Sequence, residues 1–344
     1  MKDDIEKPLP LCKLCNAPLR SLHSAQPGYR EGSFFRVLHC AVCNTSCADP
    51  LTIDSLLYDV IYSQIDSLPG YNRYAHYARQ VSLEHNPLAY LAEAEDVYWS
   101  IRESLADLPA DSKILEIGSG LGYMTFALRK AGFDARGIDL SRVAVENAIK
   151  RFGPFYEQAD LRDWSLRYPQ TYDVVLMAEL IEHVPEPGNL IQLAAQLLKP
   201  TGKLVITTPN KSNFPEWVLW ETEAPPIHLW WFSESSIKSL AYSAGLKLHF
   251  VDFSSFNRKH PQPPLRVMDP YQPTFGALLD TSNRALSKKA RRKGEQQRRK
   301  NFYFLRKMKR LFLWRCQLLQ EMTGFSRPHS RRAILCAVMS KPQH

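Results

Sequence analysis

Short apolar runs alternate with amphipathic segments through the middle of the chain, from residue 112 onward. The runs predict strands at 113–117, 135–139, 155–159, 172–178, 203–207 and 246–253. Between them, helical spacing predicts a helix ending at 130 and others over 143–151, 190–198 and 233–244, with Ser141 as an N-cap. Strands separated by helices form a parallel sheet with helices on both faces. We therefore expect a doubly wound α/β fold.

A mostly helical connector is predicted before this region, over residues 51–110. Its clearest element is a helix over 89–108 that ends at Pro109. The first part of the connector is rich in tyrosine. We expect most of these tyrosines to pack two helices together rather than line a pocket: Tyr58, Tyr62, Tyr71, Tyr74 and Tyr77.

The stretch after the sixth strand interrupts the alternation. Residues 254–330 contain a Pro-rich loop and a basic run, and residues 301–322 place their apolar side chains on one face. That pattern predicts a basic amphipathic helix. Residues 332–339 then predict a final strand that returns to the sheet, so the basic segment is an insertion before it.

Composition excludes several classes of protein. Hydrophobic residues make up 44% of the 344 positions, which is enough for a sizeable core, and 15 Gly and 24 Pro occur without a period. No apolar run is long enough to span a membrane, and the first residues are acidic where a signal peptide would be basic. We expect a cytoplasmic protein.

Charge is distributed unevenly around a net value of +9. Residues 284–332 hold seventeen Lys or Arg and two acids, so this segment carries +15 and the remainder −6. Only this segment indicates an anionic partner, either a membrane surface or RNA. Because its apolar residues are aliphatic as well as aromatic and keep helical spacing, we slightly favour peripheral contact with the inner membrane face over RNA. A solvated charged surface or a partly disordered lid is the third alternative.

Five of the seven cysteines lie in the first fifty residues. Two Cys-x-x-Cys pairs occur there, Cys12 with Cys15 and Cys40 with Cys43. Four thiolates at this spacing can bind one structural Zn²⁺ in a closed tetrahedral site. Cys47 and His39 are spare ligands and leave the identity of the fourth ligand open, while disulfides suit a reducing compartment less well.

A glycine loop follows the first strand of the α/β region, with Gly118, Gly120 and Gly122 at the start of a helix. Glycine there lets the backbone approach a ligand, but Tyr123 replaces the third glycine of the dinucleotide fingerprint, which disfavours NAD. Asp139 ends the second strand and can accept hydrogen bonds from both ribose hydroxyls. Asp160 ends the third strand, where an adenine amino group would lie.

These residues belong to motifs that resemble the class I S-adenosylmethionine-dependent methyltransferases, in the branch of the ubiquinone-biosynthesis O-methyltransferases. The matching motifs are Leu115-Glu116-Ile117-Gly118-Ser119-Gly120-Leu121-Gly122, Gly137-Ile138-Asp139-Leu140, Gln158-Ala159-Asp160-Leu161, Glu179-Leu180-Ile181-Glu182-His183 and His228-Leu229-Trp230-Trp231-Phe232. The resemblance covers residues 110–253 and the final strand. It implies a Rossmann-like seven-stranded sheet with a small N-terminal zinc-binding module.

The resemblance also implies which residues bind the cofactor. Glu116 and the 118–122 loop, including Ser119, would hold its methionine portion. Asp139 and Leu140 would bind the ribose, and Asp160 and Leu161 the adenine. Glu179 would contact cofactor or substrate.

Three polar side chains follow the fourth strand, Glu179, Glu182 and His183. On a helix they would share one face and could hold Mg²⁺, as the resemblance suggests for this motif. Alternatively His183 acts as a general base without metal. A third interpretation leaves Glu182 solvated and His183 hydrogen-bonded to a loop.

His228 follows Pro225-Pro226 in a segment that we expect to cover the acceptor pocket. It is a second candidate base, and the aromatic residues after it would exclude water or stack on a planar or sugar substrate. A buried structural histidine among core tryptophans is an equal alternative.

The sequence therefore predicts an enzyme that methylates a small-molecule, sugar or lipid-linked acceptor. An RNA methyltransferase and a non-catalytic cofactor-binding regulator are the alternatives. The predicted parts of the chain are a zinc-ribbon-like module (1–50), a helical connector (51–110), a cofactor-binding domain (111–253), a basic helical insertion (254–330) and the final strand with the C-terminus (331–344).

Overall fold

The computed structural model describes residues 10–261 except 69, 215, 218 and 220–223, then 277–286, 308, 312, 315–316, 319–320, 323 and 330–342. The strands are β1 Arg20–Pro27, β2 Phe34–Cys40, β3 Thr45–Asp49, β4 Lys113–Ile117, β5 Asp134–Asp139, β6 Tyr156–Gln158, β7 Tyr172–Ala178, β8 Leu198–Pro209, β9 Trp230–Trp231, β10 Lys247–Phe250 and β11 Ile334–Ser340. The helices are α1 Ser55–Ser63, α2 Asn72–Gln80, α3 Pro87–Ala94, α4 Asp96–Ser104, α5 Tyr123–Lys130, α6 Arg142–Phe152, α7 Leu161–Arg167, α8 Pro187–Leu197, α9 Glu234–Ser243 and α10 Ser254–Lys259.

The central sheet has seven strands in the order β10-β11-β8-β7-β4-β5-β6. Strands β8, β7, β4, β5 and β6 pair in parallel, and β11 runs antiparallel between β8 and β10. The predicted doubly wound sheet and the return of the final strand to it are confirmed. Strand order reverses beside β4, which places the carboxyl ends of β4, β5 and β7 around one crevice.

Side chains alternate between two cores on opposite faces of this sheet. In β7, Val174 and Leu176 pack with α2–α6, while Val175 and Met177 pack with α8, α9 and the N-terminal residues. All four are fully buried. Burial on both faces explains why these strands are continuous apolar runs in the sequence.

The N-terminal residues form a second, antiparallel sheet in the order β1-β2-β3-β9. Its first three strands come from the predicted zinc-ribbon-like region, but its edge strand β9 comes from residues 230–231. The N-terminal sheet is therefore built from two distant parts of the chain.

The predicted helix over 89–108 is wrong in one respect, because the structure has two helices there. α3 ends before Glu95, whose backbone is extended (φ −143°, ψ 148°), and α4 starts at the next residue. In this conformation the Glu95 carboxylate accepts a hydrogen bond from the Tyr77 hydroxyl at 2.8 Å. This partner lies eighteen residues away in the sequence, so helical spacing alone does not reveal the contact that accompanies the break.

The basic insertion lies largely outside the described residues, and so does most of the predicted helix over 301–322. Of its predicted apolar face, Met308, Phe312 and Leu319 are described, and all three are exposed. Within the described part of the chain, no helix has the length and apolar character that crossing a bilayer requires.

Candidate active site

A cavity of about 1040 Å³ opens at the carboxyl ends of β4, β5 and β7, with residues of α1 and α2 completing its wall. Ligands bind at this edge in open α/β sheets. The predicted site residues that line it are Glu116, Gly118, Ser119, Gly120, Asp139, Leu140, Asp160, Leu161, Glu179, Glu182, His183 and His228. The cavity therefore joins the predicted cofactor residues to the predicted catalytic ones.

The loop after β4 needs glycine for two separate reasons. Gly118 and Gly120 have φ values of +72° and +49°, which favour glycine. A Cβ on Gly120 would also lie 3.0 Å from the hydroxyl of Tyr62, across the cavity wall. Gly122 does not appear among the cavity residues; it precedes α5, also with a left-handed backbone (φ +79°).

Ser119 presents a buried hydroxyl that has no hydrogen-bond partner within the described residues. Burying a hydroxyl without a partner is costly. Because Ser119 lines the cavity, this orphaned group fits a loop that is completed by a polar ligand.

Two carboxylates organise the cofactor end of the cavity. Asp139 accepts hydrogen bonds from the backbone N–H groups of Gly120 and Ser141, both at 2.8 Å. A carboxylate has about four acceptor sites, so Asp139 retains acceptor capacity for a ligand hydroxyl. Burial raises the pKa of Asp139. Asp160 caps α7 by accepting from the N–H of Arg162 at 2.7 Å, so it is a helix cap as well as a cavity residue.

Glu116 is the most deeply buried acid at this end, with 4% of its surface exposed. Burial raises its pKa to about 8, although the Thr125 hydroxyl donates a hydrogen bond to it and acts in the opposite direction. The side chain is therefore largely protonated at neutral pH. It can donate a hydrogen bond into the cavity, in which it lies.

Glu179 lies at the end of the cavity opposite the glycine loop. The helix considered for residues 179–183 is wrong. The Glu179 backbone is left-handed (φ +50°), and only Ile181–His183 form a single 3-10 turn. The Tyr74 hydroxyl donates to the Glu179 carboxylate at 2.9 Å, and a guanidinium nitrogen of Arg73 lies 3.9 Å away. Glu179 therefore faces α2, and burial raises its pKa.

Glu182 is fully buried, contrary to the interpretation that it is solvated. One carboxyl oxygen accepts from the Thr208 hydroxyl at 2.9 Å, and the other has no hydrogen-bond partner among the described residues. Burial, and next the charge of Glu179, raise the pKa of Glu182 to about 8. We conclude that Glu182 is largely neutral at pH 7.

His183 is held in one tautomer. Its Nδ1 lies 2.8 Å from the carbonyl oxygen of Ile227, which can only accept, so Nδ1 carries the proton. Burial lowers the pKa of His183 to about 4. The ring is therefore neutral at neutral pH, with Nε2 unprotonated. His183 does hydrogen-bond a loop residue, and this contact is compatible with a role as base.

The imidazole of His228 lies edge-on to that of His183, with ring centroids 4.5 Å apart. Burial, and next the neighbouring His183, lower the pKa of His228 well below its usual value. The aromatic residues after it do not line the cavity as expected. Trp230, Trp231 and Phe232 are buried in the core instead.

A divalent ion at this end would meet a different ligand set from the predicted one. Glu182, His183 and His228 have ligand atoms within 4.8 Å of one another, and Glu179 is not in this cluster. Mg²⁺ prefers several oxygen ligands, whereas this group offers two imidazoles and one carboxyl. These residues do not fit Mg²⁺, and we derive no step through that ion.

The four predicted zinc ligands come together beside the N-terminal sheet, with Cys40 at the end of β2 and the other three outside its strands. The sulfur atoms of Cys12, Cys15, Cys40 and Cys43 all lie within 4.8 Å of one another. Two of the separations are 3.7 Å (Cys12 to Cys43) and 3.4 Å (Cys15 to Cys40). A zinc ion with Zn–S bonds of about 2.3 Å requires sulfur separations near 3.8 Å, so the four cysteines fit it.

Residues 90–250 match the family model described as a methyltransferase domain. This part of the chain is a methyltransferase domain. The match covers β4 to β10 with the glycine loop, Asp139, Asp160 and the segment that carries Glu182 and His183. The resemblance to class I methyltransferases is thus confirmed.

Two curated relatives of the methyltransferase domain are ubiquinone biosynthesis O-methyltransferases. The protein of Photorhabdus laumondii is 33% identical over 112 residues, covering 31% of this chain and 46% of the relative. That of Saccharophagus degradans is 32% identical over 108 residues, covering 30% and 46%. The chain thus spans about half the length of the curated relatives it matches.

Among solved structures, phosphoethanolamine N-methyltransferase 2 of Haemonchus contortus with S-adenosyl-L-methionine has a TM-score of 0.44 and 15% identity. The aligned region covers 90% of this chain and 64% of the solved chain.

Four of the five tyrosines that we assigned mainly to helix packing also line the cavity of the methyltransferase domain: Tyr58, Tyr62, Tyr71 and Tyr74. Arg73 lines it as well, and sequence reasoning missed this cation. The available signal was the tyrosine-rich composition of residues 51–79, because tyrosine both packs and presents a polar group.

Proposed function

We propose that this protein transfers a methyl group from S-adenosylmethionine to a hydroxyl group of a small-molecule acceptor. The observation that carries this proposal is the single cavity that joins the glycine loop and Asp139 to an unprotonated His183. The O-methyltransferase names of the curated relatives support the choice of oxygen. Lipid-linked and sugar acceptors are included, provided that they present a hydroxyl.

The cofactor end fits S-adenosylmethionine. Gly120 leaves room for a ligand close to the backbone, the buried Ser119 hydroxyl needs a partner, and Asp139 retains lone pairs for ribose hydroxyls. Leu140, Asp160 and Leu161 would border the adenine, and Glu116 would hold the methionine portion. When bound there, S-adenosylmethionine supplies a methyl group on a cationic sulfur atom.

At the acceptor end, His183 is the proposed proton acceptor. The carbonyl of Ile227 holds the proton on Nδ1, so Nε2 takes the proton of the acceptor hydroxyl. His228 packs against the His183 ring and lines the cavity, which makes it the second candidate. Tyr58 of α1 lies edge-on to the His183 ring and Tyr74 of α2 donates to Glu179, so tyrosines from both helices form part of the wall at this end.

Glu182 contributes without ionising. A neutral carboxyl 4.0 Å from Nε2 of His183 leaves the lone pair on that nitrogen available, whereas a carboxylate would favour the protonated imidazole. Glu179, held by Tyr74 and near Arg73, places a second carboxyl in this part of the cavity.

The N-terminal cysteines are proposed to hold a structural Zn²⁺, and the five predicted parts of the chain remain a proposed division. The fit of the four sulfur atoms supports zinc. The sheet beside them, whose strand β2 ends at Cys40, also includes β9, so the proposed module requires residues beyond 1–50.

Labelled cofactor tests the proposal. Purified protein is incubated with methyl-labelled S-adenosylmethionine and host extract, which is then separated into RNA, protein, lipid and small-molecule fractions. We expect alkali-stable label, typical of a methyl ether, in the lipid or small-molecule fraction. Label in RNA would replace the proposal with the RNA alternative and a role for residues 284–332.

Calorimetry with S-adenosylhomocysteine completes this experiment. Binding without transfer to any fraction would favour a non-catalytic cofactor-binding regulator. Absence of binding would reject both the enzyme and the regulator.

A further inference from the structure

The strand β9 connects the cysteine-containing sheet to the methyltransferase domain. In register with β3, Cys47 pairs with Trp230 and Ser46 with Trp231. The N–H of Ala48 also donates to the carbonyl of Leu229 at 2.8 Å. The backbone of residues 229–231 is therefore an extension of the N-terminal sheet.

The same segment holds the turn that carries His183. The N–H of Leu229 donates to the Glu182 carbonyl at 2.9 Å, and the indole N–H of Trp230 donates to the Val184 carbonyl at 2.9 Å. The Ile227 carbonyl accepts from Nδ1 of His183 at 2.8 Å. These three hydrogen bonds link residues 227–230 to residues 182–184.

Two of the cysteines lie next to the strands that make this connection. Cys40 ends β2, and Cys43 belongs to the turn that leads into β3. The carbonyl of Cys43 accepts a hydrogen bond from the hydroxyl of Ser233, three residues beyond Trp230. The β2–β3 turn thus contacts both ends of the β9 segment, through β3 on one side and Ser233 on the other.

We infer that the four-cysteine site is a positioning device for the proposed base, because metal bound by these cysteines fixes the β2–β3 turn and, through β3, β9 and Trp230, the location of His183. This inference rests on the proposed function. The cysteines do not line the cavity, so they act through the strands and never touch the acceptor. Trp230 is the key positioning residue.

The cofactor end should be independent of this connection. Gly118, Ser119 and Gly120 are held by β4, β5 and Asp139, through hydrogen bonds from the Gly118 and Ser119 N–H groups to Ile138 and from Gly120 to Asp139. Loss of metal should therefore disturb the acceptor end and leave cofactor binding intact.

Hydrogen–deuterium exchange on the full chain tests the metal dependence. We compare zinc-loaded protein with protein stripped of zinc by a chelator, both saturated with S-adenosylhomocysteine. Stripping should raise exchange in peptides covering 180–184 and 226–233 and leave those covering 115–125 unchanged. Unchanged exchange at 180–184, or an equal rise throughout the chain, would overturn the inference.

A pair of tryptophan variants tests the connection with zinc in place. Trp230→Phe removes the indole N–H that donates to the Val184 carbonyl, together with part of a buried ring. Trp231→Phe is the matched control, because the Trp231 indole N–H is buried on the same strand without a hydrogen-bond partner in the described residues.

Loss of one buried hydrogen bond predicts about a fivefold fall in the rate of label transfer for Trp230→Phe. The fall should appear in kcat at unchanged S-adenosylhomocysteine affinity and zinc content, while Trp231→Phe stays within about twofold. Equal rates in the two variants would refute the positioning role.

The two proposals fail in different ways. If the unmodified protein does not bind S-adenosylhomocysteine, the proposed function is wrong. If it binds and transfers label but Trp230→Phe and zinc removal leave transfer unchanged, only the positioning inference is wrong.

Discussion

At the scale of single residues, burial controls the chemistry of the acceptor end. Glu182, His183 and His228 are all removed from solvent, and desolvation is the first cause of each pKa shift. Desolvation disfavours the charged form of acids and bases alike. All three side chains are therefore neutral at pH 7, which is the state that a histidine base requires.

Glu182 makes the stability of the fold depend on pH. Its pKa rises from 4.5 to about 8 on folding, so between these values the unfolded chain loses a proton that the folded chain keeps. Burial of Glu182 therefore lowers the free energy of unfolding as the pH rises. This loss of stability is absent below pH 4.5, grows by up to roughly 1.4 kcal/mol per pH unit, and is complete above pH 8. Glu182→Gln removes it, so the variant should exceed the parent in stability at pH 8 and differ less at pH 5.

Denaturant unfolding of both proteins at pH 5 and pH 8 measures this difference. Glu186→Gln is the control, because the Glu186 side chain is 62% exposed and should change stability little at either pH. A Glu182→Gln variant that is less stable than the parent at pH 8 would contradict the neutral carboxyl.

His183 determines how the reaction depends on pH. With its pKa lowered to about 4, the imidazole is neutral from pH 6 to pH 8 and its Nε2 can accept a proton. We therefore expect kcat to be flat over this range and to fall as the pH approaches 4. His183→Gln should lower kcat by about 10²–10⁴-fold and leave S-adenosylhomocysteine affinity unchanged. The control is His249→Gln on exposed β10. A kcat that falls with a midpoint near pH 6.5 would instead indicate a solvated histidine.

At the scale of elements, the loop between β4 and α5 uses glycine both for its positive φ values and for the space that a missing side chain leaves in the cavity. Gly120 and Gly132 both have positive φ values, but only Gly120 has a neighbour, the Tyr62 hydroxyl, where a Cβ would lie. Gly120→Arg should abolish S-adenosylhomocysteine binding by filling the cavity. Gly132→Arg carries a comparable backbone cost, of about 1 kcal/mol, with open space around it.

Calorimetric titration of both variants compares these roles. We expect Gly132→Arg to bind S-adenosylhomocysteine as the parent does, with a somewhat lower melting temperature. Binding by Gly120→Arg with unchanged affinity would show that the loop does not form the cofactor site.

Elements whose stability is local were predictable from the sequence, and those fixed by distant partners were not. Buried strands such as β7 are continuous apolar runs, and Ser141 is visible as a cap, which the structure confirms. The two-residue strand β9 has no local signal, because its partner β3 lies about 180 residues away.

The same distinction applies to the candidate site. The glycine loop and the acids at strand ends are recognisable because backbone geometry sets their positions. The direction in which Glu179 and Glu182 point depends on a left-handed residue and on Tyr74 and Thr208, which no helical spacing shows.

At the scale of the whole molecule, the last described residues close the central sheet. β11 lies between β8 and β10, with Ile334 opposite Pro209 and Ser340 opposite Lys203. Strand β10 pairs with β11 alone in that sheet, within the described residues. The sheet therefore cannot be completed until the C-terminal residues, which follow the basic insertion, have joined it.

This arrangement predicts a large effect of a small truncation. A chain ending at residue 332 lacks Leu335, Val338 and Met339, each at most 5% exposed, and leaves β8 and β10 without a partner between them. Burial of such side chains stabilises by about 1.5–3 kcal/mol each, so the loss is comparable to the roughly 5–15 kcal/mol of a whole domain. A chain ending at 342 keeps β11 and the bond from Lys341 to the Leu198 carbonyl. We expect the chain ending at 332 to give little soluble protein and no cooperative thermal unfolding transition. The chain ending at 342 should match the parent in soluble yield and melting temperature. A parental melting temperature for both chains would mean that β11 is dispensable to the fold.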